Sequence, residues 1–306
     1  MMGYIAAVLF FFARGLRSNP RAAVFVLLGT GVLSSAVFAR ADSEVVRCVA
    51  AFLLVIFLLH MWDLHVDPDR ATRLHLADYL VFLPDYAWSV ARMPDGYDID
   101  LSLKRRAADA ARYVGGLCLV TAVTVGIFRI DWAAYPFLLE HAAKSTCLAA
   151  WIVWAFNTNT ALWRLAGTPA ALFIGRNPVW ASSPADFWRL WNQPMYQWLL
   201  ENIYKPLGGR ENPRIAMFAV FLVSGLLHEY LFAMTFRRVT GYPTAFFLLH
   251  GLAAMLTHRI KISGWLVLPA TFTTFAFNTV STILLFIPVD GRISFYVNTI
   301  PRWITP

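Results

Sequence analysis

Residues 215–236 read IAMFAVFLVSGLLHEYLFAMTF, a run whose only acidic or basic side chains are His228 and Glu229. At 1.5 Å per residue such a run crosses a hydrocarbon core about 30 Å thick. No water inside a bilayer bonds exposed backbone, so the run must be a helix. Comparable apolar stretches fall at 22–39, 45–65, 113–130, 145–163, 243–260 and 264–287. The shorter opening run Met2–Ala13 lacks the basic start and cleavage site of a signal peptide and reads as a tilted or partial first span. The expected fold is therefore all-α: a polytopic membrane helical bundle of about eight spans. Residues 1–306 form a single integral membrane domain.

Composition supports the same class. Apolar residues make up 58% of the chain and charged residues 14%, whereas soluble domains run at about 45–50% and 25%. A chain of this size cannot hide that excess in a water-soluble globule. The net charge of +8 does not point to nucleic acid, because the basic residues sit at the ends of apolar runs without a basic-aromatic motif. With the N-terminus outside, the inner loops 14–21, 66–112, 164–214 and 259–262 hold 18 of the 26 Lys and Arg residues, a positive-inside pattern. Two of these loops exceed mere connections. In the first, Leu74–Met93, broken at Pro84, and Ser102–Arg112 read as interfacial helices. Cys48, Cys118 and Cys147 form no CxxC pair, so neither zinc nor a disulfide framework is expected. The 22 arginines against 4 lysines suit a GC-rich bacterial genome and hence a bacterial inner membrane; a eukaryotic host would place the chain in the endoplasmic reticulum.

The second long loop contains SSPADFWRLWNQPMYQWLLENIYKP at 182–206. Ser183 suits an N-cap, Pro184 the first helical position, and Asp186 completes a capping box. Phe187, Trp188, Trp191, Tyr196, Trp198 and Tyr204 give the aromatic density of a headgroup-level segment. Pro194 is expected to break the helix, orphaning the Leu190 carbonyl and driving Gln193 out of helical geometry. Asn192 then lies beside a break. Either the segment is a kinked interfacial anchor, or Asn192 lines a cavity.

His228 falls thirteen residues into the span 215–236, about 20 Å along its axis. An ionisable group at that depth is costly and marks a functional pathway, unless it packs the bundle through an interhelical hydrogen bond. A neutral imidazole there is the form in which a general base works. Ser224, one turn earlier, either orients the ring or bonds its own helix backbone. Glu229 points about 100° away and reads as a structural partner. His60 and His65, with Asp63 between them, lack the further histidine boxes of a membrane di-iron site and read as span-end polar residues. His250, inside the next span, could share a cavity with His228, while His75, His141 and His258 carry no argument.

These stretches resemble a family. Asp186-Phe-Trp-Arg-Leu-Trp-Asn192 followed by Ile203-Tyr-Lys-Pro206, then Val223-Ser-Gly-Leu-Leu-His228-Glu and Phe246-Phe-Leu-Leu-His250-Gly251, resemble in order and spacing the signatures of membrane-bound O-acyltransferases (MBOAT), wax synthase branch. The matching region is about 180–255, a quarter of the chain. The resemblance implies an acyl-CoA-dependent transferase that esterifies a hydroxyl, most simply a long-chain fatty alcohol, with a sterol, sugar or natural product as alternatives. It implies His228 as catalytic base and Asn192 as its companion, stabilising an oxyanion or holding the acyl group. Trp188, Trp191, Ser224 and His250 are the expected substrate contacts. Arg189 and Lys205, with Arg176 and Arg210, are the expected phosphate partners. Acyl-CoA enters as a co-substrate, with no tightly bound cofactor and no metal. The partners are acyl-CoA, a lipophilic acceptor and the lipid bilayer, with a homo-oligomer left open. A transporter is the competing class, since broken helices and buried polar groups also build transport sites.

Overall fold

The computed structural model describes residues 41–66, 102–167, 172–174 and 178–301. The expected spans at 2–13 and 22–39, and the interfacial stretch 74–93, lie outside these residues, as does the His75 side chain. Within them the chain is helical throughout, with no strand. The helices are α1 (Glu44–Val66), α2 (Leu103–Phe128), α3 (Phe137–Leu165), α4 (Pro184–Leu190), α5 (Gln193–Leu199), α6 (Pro213–Phe236), α7 (Tyr242–Thr257), α8 (Val267–Ser281) and α9 (Ile283–Ile293). Among the described residues, three segments are long and apolar enough to cross a membrane: Leu103–Phe128, Pro213–Phe236 and Gly264–Ile293. Tyr242–Thr257 is apolar but shorter. The chain is an all-helical integral membrane protein.

Three boundaries differ from expectation. Ser102–Arg112 is not a separate interfacial helix: Ser102 precedes α2, which runs unbroken from Leu103. No breaker separates the basic turns from the apolar ones, and Arg106 donates to the Arg164 carbonyl, 3.1 Å, at the end of α3. Helix α3 begins eight residues before the apolar run at 145, because its polar first turns are buried against the chain's end rather than exposed. The expected span 264–287 is one candidate crossing that extends to Ile293; it starts with a 3₁₀ turn, Gly264–Leu266, and passes from α8 to α9 at Thr282.

Two antiparallel hairpins organise the described bundle. In the first, α2 lies along α3: Thr158 donates to the Tyr113 carbonyl at 3.0 Å, and Trp151 Nε1 donates to Thr121 Oγ1 at 3.0 Å. In the second, α6 and α7 approach through glycine. A Cβ on Gly251 would lie 2.8 Å from both Cβ and Cγ of Phe221, and one on Gly225 would lie 3.1 Å from Thr244 Cα. Small residues at such crossings let membrane helices pack without a hydrophobic driving force. Glu229, buried, closes this hairpin. Its carboxylate accepts from the backbone N–H groups of Thr240 (2.7 Å), Gly241 (2.8 Å) and Thr244 (3.3 Å), and from Thr244 Oγ1 (3.2 Å). It thereby caps the N-terminus of α7, where unpaired donors and the helix dipole favour an anion.

Helix α1 packs along α6, with the buried Arg47 donating from Nε to the Thr235 carbonyl at 2.8 Å. Below it, Val55 and Leu59 of α1 join Trp198 and Leu199 of α5 in one apolar cluster with Val220, Val223 and Leu227 of α6.

Candidate active site

The broken helix is built locally as the sequence suggests, but its break falls elsewhere. Ser183 caps α4, its Oγ accepting from Asp186 N–H at 3.1 Å with Pro184 in the first turn. The reciprocal half of the capping box is not made, because the Asp186 carboxylate turns to Arg189. Helix α4 stops at Leu190; Trp191 is extended (φ −80°, ψ 138°) and Asn192 is left-handed (φ 47°, ψ 66°). Gln193 is therefore not driven from helical geometry: it opens α5, with Pro194 in that helix's first turn. Proline is tolerated there because its missing N–H would be unpaired anyway. Asparagine is among the few residues that adopt the left-handed region readily.

Several polar groups at the break find partners. Asn192 Oδ1 accepts from Met195 N–H at 3.2 Å, capping α5. Gln193 N–H donates to the Phe173 carbonyl at 2.8 Å, and its side-chain amide donates to the Arg189 carbonyl at 2.6 Å, closing the end of α4. Helix α4 packs on α7 and reaches α6 through the Trp188–Phe221 ring contact at 5.6 Å, while Met195 and Trp198 of α5 join the apolar cluster that includes Val220, Val223 and Leu227 of α6.

His228 is half-buried in α6, its ring 4.3 Å from that of Phe247. Nδ1 lies 2.8 Å from the Ser224 carbonyl. A carbonyl only accepts, so Nδ1 carries the proton and Nε2 keeps its lone pair. Ser224 thus orients the ring, through its backbone oxygen, while its hydroxyl donates to Val220 O at 2.9 Å. The Ser224 hydroxyl thus takes the backbone alternative, and the ring is held by the main-chain carbonyl of residue 224.

His250 is fully buried in α7. Trp188 Nε1–H donates to its Nδ1 at 3.1 Å, and its Nε2 lies 2.7 Å from Ser281 Oγ. An indole N–H can only donate, so Nδ1 has no proton and Nε2–H donates to Ser281. Ser281 in turn donates to the Asn278 carbonyl at 3.0 Å. The pair has the spacing of a serine nucleophile and its base, yet the protons run the wrong way: His250 cannot take a proton from Ser281 while it gives one. Both ring nitrogens are spent on protein partners.

The aromatic pair of α4 divides. Trp188 sits edge-on to Phe221 (5.6 Å) and His250 (5.4 Å) and touches Phe247 (5.5 Å), the ring against His228. Trp191 instead stacks on Phe187 and meets Phe173 at 5.4 Å, within the cluster that joins Ile56 of α1 to Phe156 of α3. The expected phosphate partners already hold carboxylates: Arg189 pairs with Asp186, and Lys205 Nζ lies 2.5 Å from Glu201 Oε1. Both cations are exposed, where such pairs contribute only ~0–1 kcal/mol and exchange readily. Arg210 is exposed in the turn before α6, and Arg176 lies outside the described residues. Buried His60 belongs to α1, and the Asp63 and His65 side chains lie outside the described residues.

A second polar centre was missed in the sequence. Glu140, His141 and Lys144 at the start of α3 are almost wholly buried. Lys144 Nζ donates to Glu140 Oε1 at 2.5 Å and to the Phe295 carbonyl at 2.7 Å. Glu140 also accepts from the N–H groups of Val297 and Asn298. Tyr296 Oη lies 2.7 Å from His141 Nδ1, while Nε2–H donates to the Thr279 carbonyl. Burial, first, and the nearby Asp290 and Glu140 push the Tyr296 phenol above its ordinary range, keeping the proton it donates to His141. The signal was an acid and a base at i, i+4 ahead of an apolar run.

With this geometry in place, comparison with known proteins is informative. Residues 144–283 match the MBOAT, membrane-bound O-acyltransferase family. The chain is similar to "Diacylglycerol O-acyltransferase 1" of Arabidopsis thaliana, 38% identical over 58 residues, 19% of this chain and 11% of that protein. It is also similar to "Probable long-chain-alcohol O-fatty-acyltransferase 3" of Arabidopsis thaliana, 34% identical over 129 residues, 37% of this chain and 38% of the relative. A further Arabidopsis thaliana protein, "Probable long-chain-alcohol O-fatty-acyltransferase 2", is 35% identical over 106 residues, 31% of each. The chain thus matches well under half the length of these relatives. Residues 144–283, somewhat less than half of the chain, are what it shares with that family.

Proposed function

We propose that the chain is an acyl-CoA-dependent O-acyltransferase whose acceptor is a long-chain alcohol, with His228 as general base. One observation carries the reading: a half-buried imidazole within a membrane-spanning helix, its Nδ1–H bound to the Ser224 carbonyl and its Nε2 lone pair left for an incoming proton. In the reaction Nε2 takes the acceptor's hydroxyl proton as that oxygen attacks the thioester carbonyl. Collapse of the tetrahedral species breaks the C–S bond, and the departing CoA sulfur recovers the proton from the imidazolium. No acyl-enzyme forms, so no cysteine is needed. Asn192, at the break between α4 and α5, supplies an amide for the oxyanion or the acyl carbonyl. Arg189, Lys205 and Arg210 exchange exposed contacts for the CoA phosphates. The long-chain-alcohol relatives, which align over 129 and 106 residues against 58 for the diacylglycerol one, support this acceptor.

The test is ester formation by the purified full chain from labelled palmitoyl-CoA and hexadecanol. His228→Ala is expected to lower turnover by about 10²–10⁴-fold, the usual contribution of a general base, with the protein still folded. A folded His228→Ala that turns over like wild type rejects the base assignment. Movement of substrate across a vesicle membrane with no ester formed would favour a transporter.

A further inference from the structure

We infer that His250 is a positioning residue: by bridging Trp188 and Ser281 it fixes the broken helix against the hairpin that carries His228. The inference rests on the acyltransferase reading above, but its structural content can be measured without turnover.

The argument begins with one stripe of α7. His250, Ala254 and Thr257 lie four and three residues apart and so share a face. All three meet α4. Trp188 Nε1–H donates to His250 Nδ1 at 3.1 Å, and Ala185 N–H donates to Thr257 Oγ1 at 3.3 Å. Ala254, 2% exposed, packs between these two contacts in the cluster that holds Ala185 and Trp188. Helix α4 has only seven residues, too few to be stable alone, so its placement depends on such contacts.

The chain of donors gives the arrangement one direction. Asn278 O accepts from Ser281, Ser281 accepts from His250, and His250 accepts from Trp188. Helix α8 thereby fixes the imidazole, the imidazole fixes the indole, and the indole presses on Phe247, whose ring meets His228. At the other end of α4, four residues from Trp188, stands Asn192. His250 touches neither the proposed base nor the amide, yet a shift of the indole moves both the wall behind His228 and the helix leading to Asn192. A displacement of about 1 Å in such a site costs up to about 10²-fold in rate.

The two ring nitrogens can be separated by substitution. In His250→Asn the amide oxygen stands near Nδ1 and still accepts from Trp188. In His250→Gln the longer side chain reaches Ser281, and the indole loses its acceptor. Trp188→Phe keeps a ring and deletes only the donor. We expect His250→Gln and Trp188→Phe each to lower kcat about 10-fold or more with KM for palmitoyl-CoA unchanged. The double variant should be no worse than either alone, because both remove the same contact. His250→Asn should stay within about 3-fold of wild type. In ¹⁵N-indole-labelled protein, the signal missing from Trp188→Phe should keep its position in His250→Asn and move in His250→Gln.

Wild-type kcat in folded Trp188→Phe overturns the inference, as does equal damage in His250→Asn and His250→Gln, or a Trp188 signal that none of the variants moves. Should both His250 variants misfold, Trp188→Phe alone decides through its kcat and its KM. If wild-type protein makes no ester at all, the acyltransferase reading falls and the positioning role with it. The indole signal then still reports whether the contact exists, which keeps the two failures distinct.

Discussion

At the scale of single residues, two side chains were legible as candidates, and the atoms they use were not. Asn192 was singled out because a proline follows it. Its left-handed backbone (φ 47°) and its cap on Met195 N–H emerge only in the fold. This gives a way to separate backbone from amide. Asn192→Gly should keep stability within a few tenths of a kcal/mol, since glycine accepts positive φ and substitutes tolerably at an N-cap. Asn192→Ala should cost about 2 kcal/mol, from the lost cap and the left-handed penalty together. If the amide does chemistry, ester formation is lost in both variants although melting temperature falls only in the second. An active Asn192→Gly would leave Asn192 a capping role alone. His228 was found from its depth in an apolar run, but its tautomer depends on a carbonyl one turn away and becomes visible only with coordinates.

Between elements, the α6–α7 hairpin carries the site and tolerates little change. Gly251 has no room for a side chain, since its Cβ would lie 2.8 Å from Phe221. Gly251→Ala should therefore destabilise by about 1–3 kcal/mol through overpacking, read as a lower melting temperature of the purified protein. The backbone around Phe221 would shift with it, and Phe221 touches Trp188, so activity should fall as well. A Gly251→Ala protein with unchanged melting temperature would show that the two helices are not locked at this crossing. Element boundaries were the weakest expectation. Pro194 pointed to a kink within one helix, whereas the chain uses proline to start the second of two short helices. A pattern of residues cannot distinguish these cases, because proline suits either side of the boundary.

For the molecule as a whole, the buried Glu140–Lys144 pair holds the segment after α9 to the start of α3. Removing one partner of such a pair leaves an uncompensated charge and costs about 3–5 kcal/mol. Glu140→Gln should thus lower the melting temperature and speed hydrogen exchange at the Val297 and Asn298 amides, which now donate to that carboxylate. Unchanged protection at those two amides would mean that the rest of the network holds the segment alone. Hydropathy does not single out this region because charged residues count against a span, and nothing local indicates that an irregular segment about 155 residues later supplies their partners.

Continuous apolar runs of about 20 residues, without the alternation of barrel strands, determined an all-helical membrane fold, because in lipid such a run satisfies its backbone hydrogen bonds as a helix. The order of aromatic, asparagine and histidine motifs determined the family resemblance and both leading site residues. Only the tertiary structure decided which nitrogen of His228 and of His250 holds the proton, that His250 faces Trp188 and Ser281, that Glu229 caps α7, and that Glu140 pairs with Lys144. Proton positions follow from the partner across the gap, and those partners come from helices distant in the chain.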